Sequence, residues 1–178
     1  MIKTLLVDGN NLFKIGFHGV REFYHEGNHI GGIFHFVNTL KKFLVDHNYD
    51  KVIVFWDAEN NSNSRRDILE QYKRNRKRSL NEQQQISFEW QLSRVKKYLE
   101  EMFIRQVSID GCESDDAIAH YCNISHDEYK TIFSSDKDLT QLISDKVEVY
   151  SPNHRRVYKE GDNIPLKDIS IPHYNITT

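Results

Sequence analysis

Apolar residues along the chain fall into short blocks with two different periods. Residues 2–7 form a β-rich apolar run that ends in Asp8-Gly9-Asn10-Asn11, which predicts a buried strand followed by a turn. Beyond Gly31 and Gly32, the residues Ile33, Phe34, Val37, Leu40, Phe43 and Leu44 recur at helical spacing and predict an amphipathic helix. Residues 48–50 read as a turn, and 51–56 as a second buried strand that runs into Asp57. A polar loop is expected over 58–64, a basic helix over 65–78, and a polar stretch short of apolar anchors over 79–85. Phe88, Leu92, Val95, Leu99 and Met102 restore the helical period. Residues 104–109 alternate like a strand, 113–121 read as a helix, 130–133 as a strand and 138–143 as a short helix. Residues 147–150 and 156–158 close the pattern as strands of a hairpin, and the signal weakens from Lys159 onward. There is no internal repeat and no linker.

Strands alternating with helices predict an α/β domain of three layers, Rossmann-like, around a mostly parallel sheet. Ligands of such sheets sit outside the carboxyl ends of the strands. Acidic residues stand at those places: Asp8 after the first strand, Asp57 after the second, Glu113, Asp115 and Asp116 after the third, Asp136 and Asp138 after the fourth. A single aspartate after a strand is ordinarily a turn residue or a helix cap. Acid at four independent strand ends argues for convergence instead. Two like charges ~4 Å apart repel by roughly 4 kcal/mol at an effective dielectric of 20, so such a cluster calls for cations. Hard oxygen donors suit Mg²⁺ or Mn²⁺, and two ions ~4 Å apart can activate a water and orient a phosphate. Helical spacing would put Glu113 and Asp116 on one face, with Asp115 at the helix N-terminus where negative charge is favoured.

The formal net charge of −2 conceals a segregation. With those seven acids set aside, the 24 lysines and arginines outnumber the acids that remain. Within 65–78, Arg65, Arg66, Lys73, Arg74, Arg76, Lys77 and Arg78 face only Asp67 and Glu70. Such a segment offers donors to phosphate oxygens. Lys73 and Arg76 would share a helix face, and Tyr72 could stack on a terminal base. A solvated surface helix is the plain alternative for this segment. The 178 residues suffice for one domain with its own core. No apolar run could span a bilayer, and residues 1–8 lack a signal-peptide layout. Two cysteines, Cys112 and Cys122, form neither a zinc pattern nor a disulfide framework. The expectation is a cytoplasmic protein with free thiols and no membrane partner. His18, His25 and His29 read as loop or surface residues, and Cys112 as a small buried one.

Taken in order, LLVDGNN, VFWD, YKRNRK, ESDDAIA, SSDKDLTQLI and VYSP resemble the 5′-3′ exonuclease and flap endonuclease family. That family includes the N-terminal domain of bacterial DNA polymerase I and stand-alone phage enzymes, within the PIN-like superfamily. The resemblance runs from Ile2 to about Pro152. It implies that Asp8, Asp57, Glu113, Asp115, Asp116, Asp136 and Asp138 bind metal, Mg²⁺ or Mn²⁺ as two ions, with Asp57 and Asp136 central to catalysis. It implies that Lys73 and Arg76 contact the scissile phosphate region while Tyr72 stacks near the 5′ nucleotide. Arg65, Arg66, Lys77 and Arg78 would add substrate contacts. A helical arch over about 77–89, with a polar tip at 81–85 that is mobile without DNA, would clamp a 5′ single strand or flap. The implied role is primer or flap removal in replication and repair, by a monomer acting in a phage or bacterial cytoplasm on DNA or an RNA/DNA hybrid. The family continues into a helix-hairpin-helix element with a GDxSDN motif that binds duplex backbone through K⁺. Gly161-Asp162-Asn163-Ile164-Pro165 lacks the intervening residues, so the expectation is a single catalytic core over 1–178 without that element. A PIN-like ribonuclease and a catalytically impaired nucleic-acid-binding core are the competing readings.

Overall fold

The computed structural model of the chain describes residues 1–20, 23–58 and 80–162. Its elements in chain order are β1 (Ile2–Asp8), α1 (Gly9–Gly19), β2 (Tyr24–His25), β3 (Asn28–His29), α2 (Gly31–Asp46), β4 (Lys51–Trp56), α3 (Glu82–Glu101), β5 (Arg105–Ser108), α4 (Ser114–Ile124), β6 (Glu128–Phe133), a 3₁₀ turn (Asp138–Leu142), β7 (Val147–Ser151) and β8 (Arg156–Tyr158). The main sheet has the order β5-β4-β1-β6-β7-β8. Every neighbouring pair is parallel except the β7–β8 hairpin. β1 is therefore flanked by β4 on one side and β6 on the other. The chain leaves β1 toward one edge and later returns to the opposite side, so the order reverses beside β1, the place where open α/β sheets put their ligands.

Side-chain alternation along the strands fills both faces of this sheet. Leu5, Val7, Val54, Trp56 and Phe133 join Leu12, Phe13 and Phe17 of α1, Phe36, Leu40 and Phe43 of α2, and Val95 and Leu99 of α3. Leu6, Ile53, Phe55 and Ile132 face the other way, onto Ala117, Ile118 and Cys122 of α4 and Leu139 of the 3₁₀ turn. Three layers result, as the periodicity implies. Among the described residues no helix is long and apolar enough to cross a membrane.

Two readings of the sequence are corrected here. Residues 9–19 form a helix, not only a turn. Asp8 caps it by accepting from the Asn11 amide, and Leu12, Phe13, Gly16 and Phe17 form its buried face. Gly9 is required by proximity, since a Cβ there would lie 2.6 Å from the Trp56 ring. Residues 82–85, expected as a polar stretch short of anchors, are helical. Asn81 and Gln84 form a reciprocal capping box at 2.8 and 3.1 Å, and 82–89 are the first turns of α3. Polar residues without anchors are what an exposed first turn looks like, so the pattern was ambiguous there. Residues 77–79 of the proposed arch lie outside the described residues. The β2–β3 hairpin, two residues a side, was too short to leave a periodic signal.

Buried polar groups lock the layers in register. Gln91 is fully buried in α3, and its Oε1 accepts from the Gly32 amide at 2.9 Å. It thereby serves the N-terminus of α2, whose own cap residue makes no side-chain bond. At the opposite end of the sheet, Glu128 accepts from Thr4, Lys51 and Tyr121 and so joins β1, β4, α4 and β6. Burial pushes its carboxyl up, but these three donors outweigh burial and hold it below 4.5. A carboxyl depressed by folding adds stability that is complete above the unfolded value and is lost as pH falls through the folded one. Glu128→Gln should therefore cost about 1 kcal/mol at pH 7, after allowance for solvent screening at the Lys51 end. The difference from the parent should shrink as pH falls below the usual 4.5 and through the depressed folded value. Urea titrations of both proteins across pH would show this, and a gap independent of pH would refute the linkage.

Candidate metal and phosphate site

The predicted acids stand at the carboxyl ends of the strands and at the start of α4, and hydrogen bonds link several of them. Asp8, at the end of β1, is 5% exposed. Its Oδ1 accepts from the Asn11 amide at 3.0 Å and from Ser114 Oγ at 3.2 Å, and its Oδ2 from Ser134 Oγ at 3.0 Å. Asp57, just past β4, accepts from the Ser114 amide at 3.0 Å and from Asn10 Nδ2 at 2.7 Å. Its own amide donates back to Asn10 Oδ1 at 3.1 Å, and Lys14 Nζ lies 3.9 Å from its Oδ2. Past β6, Ser134 Oγ accepts from the Asp136 amide, and Asp136 Oδ1 accepts from the Asp138 amide, each at 3.0 Å. Asn11 Oδ1 accepts from the Ser135 amide and so ties this loop to α1.

On α4 the acids occupy the first turn, where unpaired helix amides favour negative charge. Glu113 is the residue before the helix, three before Asp116, and makes no side-chain cap bond. Asp115 accepts from the Asp116 amide at 2.8 Å. Partial burial pushes the Asp115 carboxyl up, and the charges of Asp116, Glu113 and Asp136 push it further, against that one backbone hydrogen bond. Burial likewise pushes Asp8 up, Asp57 adds to it, and the donors from Asn11, Ser134 and Ser114 only partly offset both. The fields thus define two groups: Asp8 with Asp57, and Asp115 with Asp116, Glu113 and Asp136. Asp138, exposed at the start of the 3₁₀ turn, is tied to Asp136 through its amide.

Among the described residues no three acidic, histidine or cysteine side chains lie close enough to cage an ion. The donor set nevertheless fits Mg²⁺ or Mn²⁺. Mg²⁺ keeps several waters and takes only one or two carboxylates directly, so an open arrangement of hard oxygens suits it better than a closed cage. Repulsion among the acids favours an open arrangement.

Arg65, Arg66, Tyr72, Lys73, Arg76, Lys77 and Arg78 lie outside the described residues. The residues that sequence reasoning overlooked are the neutral ones that hold the acids: Asn10, Asn11, Ser114 and Ser134. Their signal was their interleaving with acids, in D-G-N-N, E-S-D-D and S-S-D. Two smaller expectations also change. His29 is not a plain surface residue: its Nε2 lies 2.6 Å from the Val20 carbonyl and its Nδ1 3.2 Å from Gln91 Nε2. Cys112 is half-buried rather than buried, while the buried Cys122 thiol is pushed by desolvation to about 11 and stays protonated.

Comparison with known proteins agrees with this geometry. Residues 3–165 match the model of a family described as 5′-3′ exonuclease, N-terminal resolvase-like domain. A 5′-3′ exonuclease of Buchnera aphidicola subsp. Schizaphis graminum is 32% identical over 149 residues, covering 82% of this chain and 50% of that protein. DNA polymerase I of Helicobacter pylori is 36% identical over 118 residues, covering 64% of this chain and 12% of that protein. A solved structure of the T5 5′-exonuclease with divalent zinc ions bound is similar at a TM-score of 0.70 and 25% identity, over 88% of this chain and 58% of that one. The chain therefore spans between about an eighth and three fifths of the length of these proteins.

Proposed function

The chain belongs to the 5′-3′ exonuclease family, through its N-terminal resolvase-like domain, and on that premise we propose that it is a divalent-metal-dependent 5′-nuclease acting on DNA near 5′ ends or flaps. The observation that carries this reading is the convergence of acids from β1, β4, β6 and α4 on one edge, with Ser114 bonded to both Asp8 and Asp57. Asp8, Asp57, Glu113, Asp115, Asp116, Asp136 and Asp138 would hold Mg²⁺ or Mn²⁺, two ions in all. Bound cations would supply Lewis-acid polarisation of a phosphate and a lowered pKa for water.

The chain's own residues do the rest. Asp8 is buried and accepts three hydrogen bonds, so its carboxylate is held in one orientation at the edge. Asp57, with a third of its side chain exposed, the half-buried Asp115 and the exposed Asp116 and Asp136 would present oxygens to the phosphate. The basic run over 65–78 would offset repulsion between phosphate and acids, with Lys73 and Arg76 on the scissile phosphate and Tyr72 on the terminal base. Removal of primers or flaps in replication and repair is the corresponding role.

The test is cleavage of a 5′-flap DNA and of an RNA of the same sequence by the full chain, with Mg²⁺, with Mn²⁺ and with chelator. Cutting of the flap that stops with chelator is the expected result. Preferential cutting of the RNA would replace this reading with that of a PIN-like ribonuclease, and metal-independent cutting would defeat it.

A further inference from the structure

Ser114 opens α4 and is 5% exposed. Its Oγ donates to Asp8 Oδ1 at 3.2 Å, and its amide donates to Asp57 Oδ1 at 3.0 Å. Asp8 and Asp57 close two adjacent parallel strands, β1 and β4. Asp115 and Asp116 follow Ser114 directly in the first turn of α4. One small residue therefore connects the pair of acids at the strand ends to the acids of the helix. We propose that Ser114 is the positioning residue of this site: its hydroxyl fixes the Asp8 carboxylate, and its seat between Asp8 and Asp57 sets the spacing at which strand acids and helix acids hold divalent cations. The inference rests on the nuclease reading and deepens it.

The two bonds can be separated experimentally. The amide bond to Asp57 survives any side chain that folds, whereas the hydroxyl bond to Asp8 needs a side-chain hydroxyl. Ser114→Ala removes the donor. Ser114→Thr retains it at the cost of one methyl in a buried place. Ser114→Cys keeps the size and offers only a weak donor. A serine that merely fills space would affect folding stability and leave metal affinity untouched. A residue that orients a ligand-bearing carboxylate should affect metal affinity by about 10–100-fold, as supporting residues of metal sites do.

The experiment is a calorimetric Mn²⁺ titration of the full chain and the three variants, with metal-free thermal midpoints and single-turnover cleavage of a 5′-flap DNA at saturating metal. Expected are a Mn²⁺ dissociation constant raised at least about tenfold in Ser114→Ala, a similar loss in Ser114→Cys, and restoration to within about threefold in Ser114→Thr. Cleavage should follow the same order. The inference is overturned if Ser114→Ala binds Mn²⁺ as the parent does, or if Ser114→Cys binds as tightly as the parent. Should the alanine variant fail to fold, the threonine and cysteine pair still decides. A parent chain that binds no Mn²⁺ at millimolar concentration would overturn the nuclease reading itself, and this inference with it.

Discussion

Asp57→Asn should lose flap cleavage by more than about 100-fold, beyond the ~10–100-fold that supporting residues of a metal site ordinarily account for, while its hold on a 5′ single strand stays level or tightens. The asymmetry follows from what the substitution removes. It takes one negative charge from the site that would receive the phosphate, which relieves repulsion in the bound state. It also takes away an oxygen donor whose charge would balance the cation during the reaction, and losses confined to the transition state appear in the rate at saturation. The substitution carries a local cost as well. Asp57 accepts on both oxygens, from the Ser114 amide and from Asn10 Nδ2, so an asparagine must turn its own NH₂ toward one of those donors. The cost should be about 1–3 kcal/mol of stability, and the cleavage assay has to run well below the variant's thermal midpoint. Single-turnover rates at saturating enzyme, beside filter-binding affinities, separate the two effects. A variant that cuts within tenfold of the parent would remove Asp57 from the metal site.

The fold was legible because both faces of its sheet are buried. Runs such as Leu5-Leu6-Val7 and Ile53-Val54-Phe55 announce buried strands through apolar continuity, and the helices packed on them announce themselves through their period. The acids at the strand ends were legible for a related reason: a charged residue directly after a buried strand is visible against the apolar run before it. What stayed hidden depends on contacts between distant segments. Gly-Asn-Asn after β1 looks like a turn until Asp8 is known to cap a helix and Trp56 to press on Gly9. Gln91 looks like a surface residue of α3 until its oxygen is seen on the amide of Gly32. Ser114 and Ser134 are ordinary helix-start and loop residues by sequence, and only the meeting of β1, β4, β6 and α4 gives their hydroxyls a carboxylate to hold.

Asp115→Asn should raise the thermal midpoint of the metal-free chain and at the same time abolish most of the rise that Mn²⁺ confers on the parent. Burial and the charges of Asp116, Glu113 and Asp136 push the Asp115 carboxyl up, so the folded chain holds this proton more tightly than the unfolded chain. Between the usual value near 3.8 and the raised folded value, the unfolded state binds fewer protons, and stability falls as pH rises. At neutral pH the ionised carboxylate is a net burden on the metal-free fold, and an uncharged side chain of the same shape relieves it. The favourable field at the N-terminus of α4, about 0.3–1 kcal/mol, works against this gain and keeps it modest. Cation reverses the balance. A ligand bound only by the folded state adds about 2.7 kcal/mol at 100 times its dissociation constant, or roughly 5–10 °C for a domain of this size. The parent should therefore start lower and climb further with Mn²⁺, and the variant should start higher and barely move, so that the two curves cross as metal is added. Scanning calorimetry across a Mn²⁺ series at pH 7 reads both slopes. Curves that run parallel would mean that Asp115 holds no cation. A metal-free variant less stable than the parent would mean that the helix terminus, not repulsion among the acids, governs this carboxylate.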